Sequence, residues 1–105
     1  MLQTKHGEIS SVTVLGRRWT SRAGTTYHSA QILVNGETVA NTGQHSGYGE
    51  GYIQTACTWL ESNGYMPDRE HHDNGSAEAP WLYFRDDRGV AWNAQAIDVS
   101  RERDL

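Results

Sequence analysis

Residues 26–40 read TYHSAQILVNGETVA, and this stretch decides the fold. From position 26 to 34 the chain alternates, with apolar side chains at 30, 32 and 34 on one face and Tyr27, Ser29 and Gln31 on the other, which is typical of a strand with one buried face. Asn35-Gly36 then supplies two residues that tolerate the positive φ of a type I′ turn. The stretch predicts a β-hairpin, in which the two-residue turn sets Ile32 opposite Val39.

A further strand precedes this hairpin. Val12 and Val14 alternate with polar residues, but Leu15 and Gly16 interrupt the pattern before Trp19. Such a slip at a glycine is typical of a β-bulge. Residues 11–19 therefore predict a strand that is bulged at Gly16.

The residues after the hairpin predict one helix. Ile53, Ala56, Cys57 and Leu60 recur at helical spacing and form an apolar stripe. Asn63-Gly64 is expected to end the helix, because glycine takes the left-handed conformation that follows many helices.

The last third of the chain predicts a polar loop followed by a second hairpin. Between Pro67 and Pro80 no apolar side chain is larger than alanine, whereas residues 81–84 and 90–99 alternate like strands around a turn that contains Gly89. Residues 101–105 are expected to form a frayed tail. The element order βββα-loop-ββ predicts an α+β fold, an antiparallel sheet of about five strands with one helix packed on one face.

The length of 105 residues predicts a single domain, 1–105. Within it we expect a βββα unit over 8–66, the polar loop over 68–80 and the C-terminal hairpin over 81–99. Acidic and basic residues balance up to Pro67, and nine acidic residues and five arginines follow it. The formal net charge of -4 excludes a broad basic surface for general phosphate-backbone binding.

The cysteine count and the hydropathy pattern indicate a compartment. The chain contains one cysteine, so it forms no intramolecular disulfide, and we find neither a signal-peptide-like stretch nor an apolar run of membrane-spanning length. These features predict a cytoplasmic protein.

No motif predicts catalysis. Cys57 lies on the apolar helical stripe, where a thiol behaves as a small hydrophobe. The adjacent residues His71-His72-Asp73 lack the spacing of a metal site and favour a solvated loop. Asp86-Asp87 falls in a turn without apolar surroundings that would separate two carboxyl pKa values. The sequence therefore predicts no enzyme, cofactor or metal.

The glycine-rich stretch 43–51 leads into the helix. Its backbone N–H groups could hold an anion, but the stretch matches no phosphate-binding motif and Glu50 would repel phosphate. The structural interpretation is that the glycines let Tyr48 and Tyr52 pack at a tight entry to the helix.

A resemblance adds to this pattern. At Thr26-Tyr27-His28-Ser29, Val34-Asn35-Gly36, Tyr48-Gly49-Glu50-Gly51-Tyr52 and Thr58-Trp59-Leu60 the chain resembles small proteins encoded by bacteriophages, prophages and other mobile elements, over residues 12 to 65. The resemblance implies expression in the cytoplasm of a bacterial host. It also implies a non-enzymatic role in binding a host protein, including inhibition of host defences such as CRISPR–Cas, and it transfers no functional residue.

Three functional hypotheses follow. The first is a non-enzymatic protein-binding module that acts as an inhibitor of a host protein, since acidic and aromatic side chains suit such an interface. Its candidate contact residues are Tyr48, Glu50, Tyr52, Asp86 and Asp87. The alternative is a nucleic-acid-binding accessory protein, because arginines beside aromatic rings can stack single-stranded bases. Its candidate residues lie on the hairpin that the first predicted strand, 11–19, forms with the strand that begins at position 26. They are Arg17, Arg18, Trp19, Arg22 and Tyr27. A small enzyme is the third hypothesis, and a homodimer is compatible with any of them.

Overall fold

The computed structural model describes residues 2–47, 49–65, 84 and 88–105. The described part holds seven strands, one α-helix and a C-terminal 3-10 turn over Glu102–Asp104. In chain order they are β1 (Leu2–Thr4), β2 (Gly7–Ile9), β3 (Ser11–Thr20), β4 (Thr26–Val34), β5 (Glu37–Asn41), β6 (His45–Ser46), α1 (Gly51–Ser62) and β7 (Ala91–Asp98).

Five of the strands form the main sheet, in the order β5-β4-β3-β7, with β6 also paired to β4. β5 and β6 therefore share one edge of β4 and follow one another along it. β1 and β2 form a separate two-stranded hairpin that the sequence pattern did not predict. The predicted α+β class, a sheet of about five strands with one helix packed on one face, is confirmed.

β3 and β4 pair without interruption from Val12 opposite Val34 to Thr20 opposite Thr26. The predicted bulge at Gly16 is wrong, because Gly16 pairs with Ala30 in the regular register. The apparent slip arises because Leu15 points to the other face of the sheet. Gly16 lies on the helix-covered face of the sheet. The ring of Tyr52 fills the space that a side chain at position 16 would occupy.

The predicted turn at Asn35-Gly36 is confirmed, and both residues have positive φ, 53° and 82°. The predicted register beyond it is only partly right. β4 and β5 shift register between Ile32 and Leu33, so that Ile32 lies opposite Ala40 rather than Val39. Val39 is thus the extra residue of a bulge on the edge strand.

β7 enters the sheet beside β3 and runs parallel to it, from Ser11 opposite Ala91 to Arg18 opposite Asp98. The sheet is therefore mixed, whereas the sequence predicted antiparallel strands throughout. Residues 81–83 and 85–87, which make up most of the first arm and turn of the predicted second hairpin, lie outside the described residues. So does the predicted loop 68–80.

The predicted helix is confirmed, and its apolar stripe packs on β3 and β4. It ends as predicted at Asn63-Gly64, where the Tyr65 N–H donates to the Leu60 carbonyl at 3.0 Å and Gly64 has a φ of 83°. The core lies between α1 and the sheet and is formed by apolar side chains that are at least nine-tenths buried: Ile9, Val12, Val14, Ala30, Ile32, Val34, Tyr52, Ile53, Ala56, Cys57, Leu60, Tyr65, Phe84 and Val90.

The C-terminus is not the frayed tail that the sequence predicted. Glu102–Asp104 form a 3-10 turn, and Arg101 Nε donates to the Asp104 carboxylate at 3.1 Å. Leu105 reaches the sheet and lines a shallow hollow with Leu15. No helix within the described ranges is long and apolar enough to cross a membrane.

Candidate binding surface on the open face of the sheet

The two faces of the main sheet differ. Alternate residues of a strand point to opposite faces, and α1 covers the face that carries Val12, Val14, Ala30 and Ile32. The opposite face, which we call the open face, is half-buried to exposed. Its residues are those at odd positions: Thr13, Leu15, Arg17 and Trp19 of β3, Tyr27, Ser29, Gln31 and Leu33 of β4, and Asn93, Gln95 and Ile97 of β7.

An aromatic pair stands at one end of the open face. Trp19 and Tyr27 are direct cross-strand partners, and their rings stack with centroids 5.8 Å apart at 25°. Both residues are half-buried. Because each ring supports the other, the pair presents a firm amphipathic surface at low cost in side-chain entropy.

Arg17 lies beside this pair, between Ser29 on β4 and Ile97 on β7. Its side chain is exposed, and it lines a broad hollow with Asp98 and Asp104. Both of these carboxylates are bound to other arginines, Asp98 to Arg18 and Asp104 to Arg101. Among the described residues no ion pair engages Arg17, so its charge is available to a partner.

Arg22 adds a second cation near this end of the sheet. It is exposed in the turn between β3 and β4, where the Ser21 N–H donates to the Thr25 carbonyl at 2.8 Å and the Gly24 N–H donates to Ser21 at 3.0 Å. We call Arg17, Trp19, Arg22 and Tyr27 together the aromatic-basic patch.

Arg18 does not belong to this patch, although the sequence analysis placed it there. As the neighbour of Arg17 along a strand it lies on the helix-covered face, where Nε donates to Asp98 at 3.0 Å and Nη1 donates to the Gly49 carbonyl at 3.0 Å. Arg18 thus joins β7 to the loop before α1. Its charge is already matched by Asp98.

Of the residues predicted to contact a protein partner, Tyr52 and Glu50 lie in the described part of the chain. Tyr52 lies in the core, 5% exposed, with its ring over Gly16. Burial raises the pKa of its phenol above 10.0, the Glu50 carboxylate raises it further, and Arg18 opposes the shift. Tyr52 therefore offers little surface to a partner. Glu50 is exposed at the start of α1, and Tyr48, Asp86 and Asp87 lie outside the described residues.

The glycine-rich stretch is built around a histidine. His28 is 2% exposed, and a Cβ at Gly47 or Gly51 would lie 3.0 or 3.3 Å from its Cε1 atom. The two glycines thus let the loop and the first turn of α1 close over the imidazole ring. Gly47 and Gly51 are thus explained by the close approach of His28, and not by the packing of the tyrosines.

Two further sequence features concern Cys57 and the candidate metal ligands. Cys57 is fully buried in the core, as its position on the apolar stripe predicts. Within the described ranges, no three His, Cys, Asp or Glu side chains are grouped so that they could hold a metal ion. His71-His72-Asp73 lies outside those ranges.

One residue of this surface was not predicted from the sequence. Ile97 is 61% exposed on the open face, directly opposite Arg17. Its position was foreseeable in part, because Ile97 breaks the run of apolar residues at even positions of the last strand. Its neighbour across the sheet was not foreseeable, since that depends on the parallel pairing of β7 with β3.

Comparison with known proteins gave no match: no protein-family model fits the chain, and no curated protein or solved structure resembles it significantly.

Proposed function

We propose that this protein is a non-enzymatic protein-binding module that uses the aromatic-basic patch on its open face. The observation that carries the proposal is the stacked Trp19–Tyr27 pair beside the exposed Arg17, which has no ion-pair partner among the described residues. Trp, Tyr and Arg are the residue types that dominate binding energy at protein interfaces. Around them the open face carries neutral polar side chains such as Ser29 and Gln31, which suit the rim of such an interface.

The charges favour a protein over a nucleic acid. Of the three arginines on β3 and its turn, Arg18 is matched by Asp98, which leaves Arg17 and Arg22. Specific nucleic-acid binding commonly draws on about six to ten phosphate contacts. Among the described residues, Arg17 and Arg22, even together with the exposed Arg103 that lines the same hollow as Arg17, supply few of these contacts on a chain of net charge -4. The fitting partner is a protein surface that presents a carboxylate to Arg17 and an apolar side chain to the Trp19–Tyr27 pair.

The resemblance to phage and prophage proteins narrows the class of partner. It favours a bacterial host protein, with inhibition of that protein as the consequence of binding. We include this in the proposal, and the identity of the captured protein tests it.

A site-specific crosslink tests the surface. A photoreactive amino acid at Ser29, beside Arg17, should form a covalent adduct with one bacterial protein in lysate, and mass spectrometry identifies it. With that protein purified, Trp19→Ala and Arg17→Glu should each weaken binding by at least about tenfold, the expected loss at a central interface residue. Lys5→Glu is the matched charge reversal, since Lys5 is exposed in the β1–β2 turn, and it should change the affinity less than about twofold.

Two outcomes would contradict the proposal. In the first, the patch variants bind the crosslinked protein as tightly as the wild type does. In the second, wild-type protein shifts a single-stranded oligonucleotide at low salt and Arg17→Glu abolishes the shift while no protein adduct forms. The second outcome would establish the nucleic-acid hypothesis instead.

A further inference from the structure

A separate cavity lies on the far side of β4 from the aromatic-basic patch. It has a volume of about 450 Å³ and lies between the chain after β5 and the outer side of α1. This volume falls in the range of small-molecule sites, about 300–1,000 Å³. The walls are mostly apolar, and the residues that line them are Thr42, Gly43, His45, Thr55, Thr58 and Trp59.

A buried histidine fixes the polarity of one hydroxyl in this cavity. His28 Nδ1 lies 3.1 Å from the Gly47 carbonyl oxygen, which can only accept, so Nδ1 carries the proton. In the neutral ring Nε2 is then an acceptor, and it lies 2.6 Å from Thr55 Oγ1. With Nε2 as the acceptor, the Thr55 hydroxyl donates this hydrogen bond to His28, and its oxygen keeps lone pairs that can accept a hydrogen bond from a ligand.

The Thr42 hydroxyl has the opposite role and offers a hydrogen-bond donor. Thr42 Oγ1 accepts the Ala30 N–H at 2.9 Å, while the Thr42 N–H donates to the Ala30 carbonyl at 2.8 Å. In the described part of the chain no acceptor binds the Thr42 O–H. Its proton is thus available to a ligand as a donor.

The third feature is an aromatic wall. Trp59 lines the cavity and stacks on Tyr65, with ring centroids 5.6 Å apart at 25°. Tyr65 in turn stacks on His6 at 4.2 Å, so the indole is held by an aromatic column. A held indole is a good stacking surface for a flat ligand. Among the described lining residues His45 is the one with an ionisable side chain, and the hydroxyls and the indole of the others suit an uncharged ligand.

We propose that this cavity binds a small uncharged planar ring that carries an N–H and a neighbouring C=O, as a uracil-type nucleobase does. Thr55 accepts the ring N–H, Thr42 donates to the ring carbonyl, and Trp59 packs against the ring. The proposal does not depend on the proposed protein-binding surface, since no residue is shared between the cavity and the aromatic-basic patch.

Titration of the ¹⁵N-labelled full chain, followed by NMR, tests the proposal with uridine as the probe. Uridine should shift the amide signals of Gly43, Thr55 and Thr58 and the indole N–H signal of Trp59. 3-Methyluridine has the same ring without the imide N–H, and it should bind about tenfold more weakly, because it cannot donate to Thr55. Thr55→Ser keeps the hydroxyl and should retain binding, whereas Trp59→Leu should lose it and Trp19→Leu should not.

Three kinds of result would contradict a nucleobase site in this cavity. Equal shifts with uridine and 3-methyluridine would exclude the assigned hydrogen bond. Uridine shifts that map to Trp19, or no shifts up to the solubility limit of uridine, would exclude the cavity as a nucleobase site. Shifts at the cavity with glucose or inorganic phosphate alone would assign it to a sugar or an anion instead. The comparison of two ligands on one protein keeps the test valid even where a variant folds poorly.

Discussion

The ring of Tyr52 lies directly over Gly16, so that a Cβ built at position 16 would come within 2.5 Å of Cδ2 and 2.6 Å of Cγ of the tyrosine. Gly16 sits in the middle of β3 with β4 and β7 on either side, and Tyr52 begins the buried stripe of α1. The missing side chain therefore sets how closely the helix approaches the sheet at this end of the core.

Gly16→Ala should destabilise the protein by about 1–3 kcal/mol, the usual cost of an extra group in a packed core. The ring atoms involved lie next to the Tyr52 Cβ and cannot swing away without moving the helix. Gly43→Ala is the matched control, because a Cβ there meets nothing within 4 Å. It should change the free energy of unfolding by less than about 0.5 kcal/mol. Urea denaturation followed by circular dichroism measures both, and equal midpoints for the two variants would refute the close approach.

Tyr52 should also make the protein sensitive to alkali. Its pKa is raised in the folded state, chiefly by burial, above the value of 10.0 that the unfolded chain has. Between these two values the folded protein holds a proton that the unfolded chain has lost, so folding stability falls as pH rises through that interval. The contribution is fully present below pH 10 and is lost at higher pH.

Tyr52→Phe removes the ionisable group, and its free energy of unfolding should fall less steeply with pH above 10 than that of the wild type. Urea midpoints at a series of pH values from neutral to alkaline measure the slope. Tyr27→Phe removes a phenol from the open face and is the matched control for the loss of a hydroxyl group. Parallel curves for wild type and Tyr52→Phe would count against a buried phenol at this position.

Arg17 and Arg18 show how far the sequence predicts the aromatic-basic patch. Their grouping with Trp19 followed from closeness along the chain, yet consecutive strand residues point to opposite faces, so Arg17 and Trp19 share a face and Arg18 does not. This separation was available from the strand prediction itself. The engagement of Arg18 with Asp98 was not, because 80 residues separate them and the contact depends on β7 lying beside β3.

The direction of β7 marks the limit of the sequence pattern. Alternating side chains identify a strand and its buried face, but they are the same for a parallel and an antiparallel neighbour. In the β3–β4–β5 region the short turns left little choice, and the strands there were predicted correctly. β7 follows a long connection, which is compatible with either direction, so the pairing with β3 had to come from the structure.

Thr55 is expected to contribute to stability through His28. Thr55→Val keeps the size and the β-branching but leaves Nε2 of a histidine that is 2% exposed without its partner at 2.6 Å. An unsatisfied buried polar atom costs about 1–3 kcal/mol, and we expect a loss in that range. Thr55→Ser keeps the hydroxyl and should lose less. Thr58→Val, three residues along the same helix and exposed, should remain within about 0.5 kcal/mol of the wild type. Thermal unfolding ranks the three, and a Thr55→Val protein as stable as Thr58→Val would show that the hydroxyl does not hold the ring.

Asn35 has two roles, of which the sequence indicates only one. Its positive φ suits the turn, as the Asn-Gly pattern predicts. Its side chain also ties the turn to the start of β3: Oδ1 accepts the Ser10 N–H at 2.8 Å and the Ser10 hydroxyl at 3.0 Å, and Nδ2 donates to the Glu8 carbonyl at 2.9 Å.

Asn35→Gly separates the two roles, because glycine keeps the backbone conformation and removes every side-chain bond. We expect the free energy of unfolding to fall by about 1–2 kcal/mol. This is less than the sum of the separate hydrogen bonds, because the site is exposed to water. Asn35→Asp keeps the Oδ1 acceptor but places a second oxygen near the Glu8 carbonyl, so its stability should fall between those of the wild type and Asn35→Gly. Urea unfolding measures this order. Amide hydrogen exchange should show faster exchange at Ser10 in Asn35→Gly, since its N–H loses the side-chain acceptor. Unchanged exchange at Ser10 would mean that the asparagine serves the turn alone.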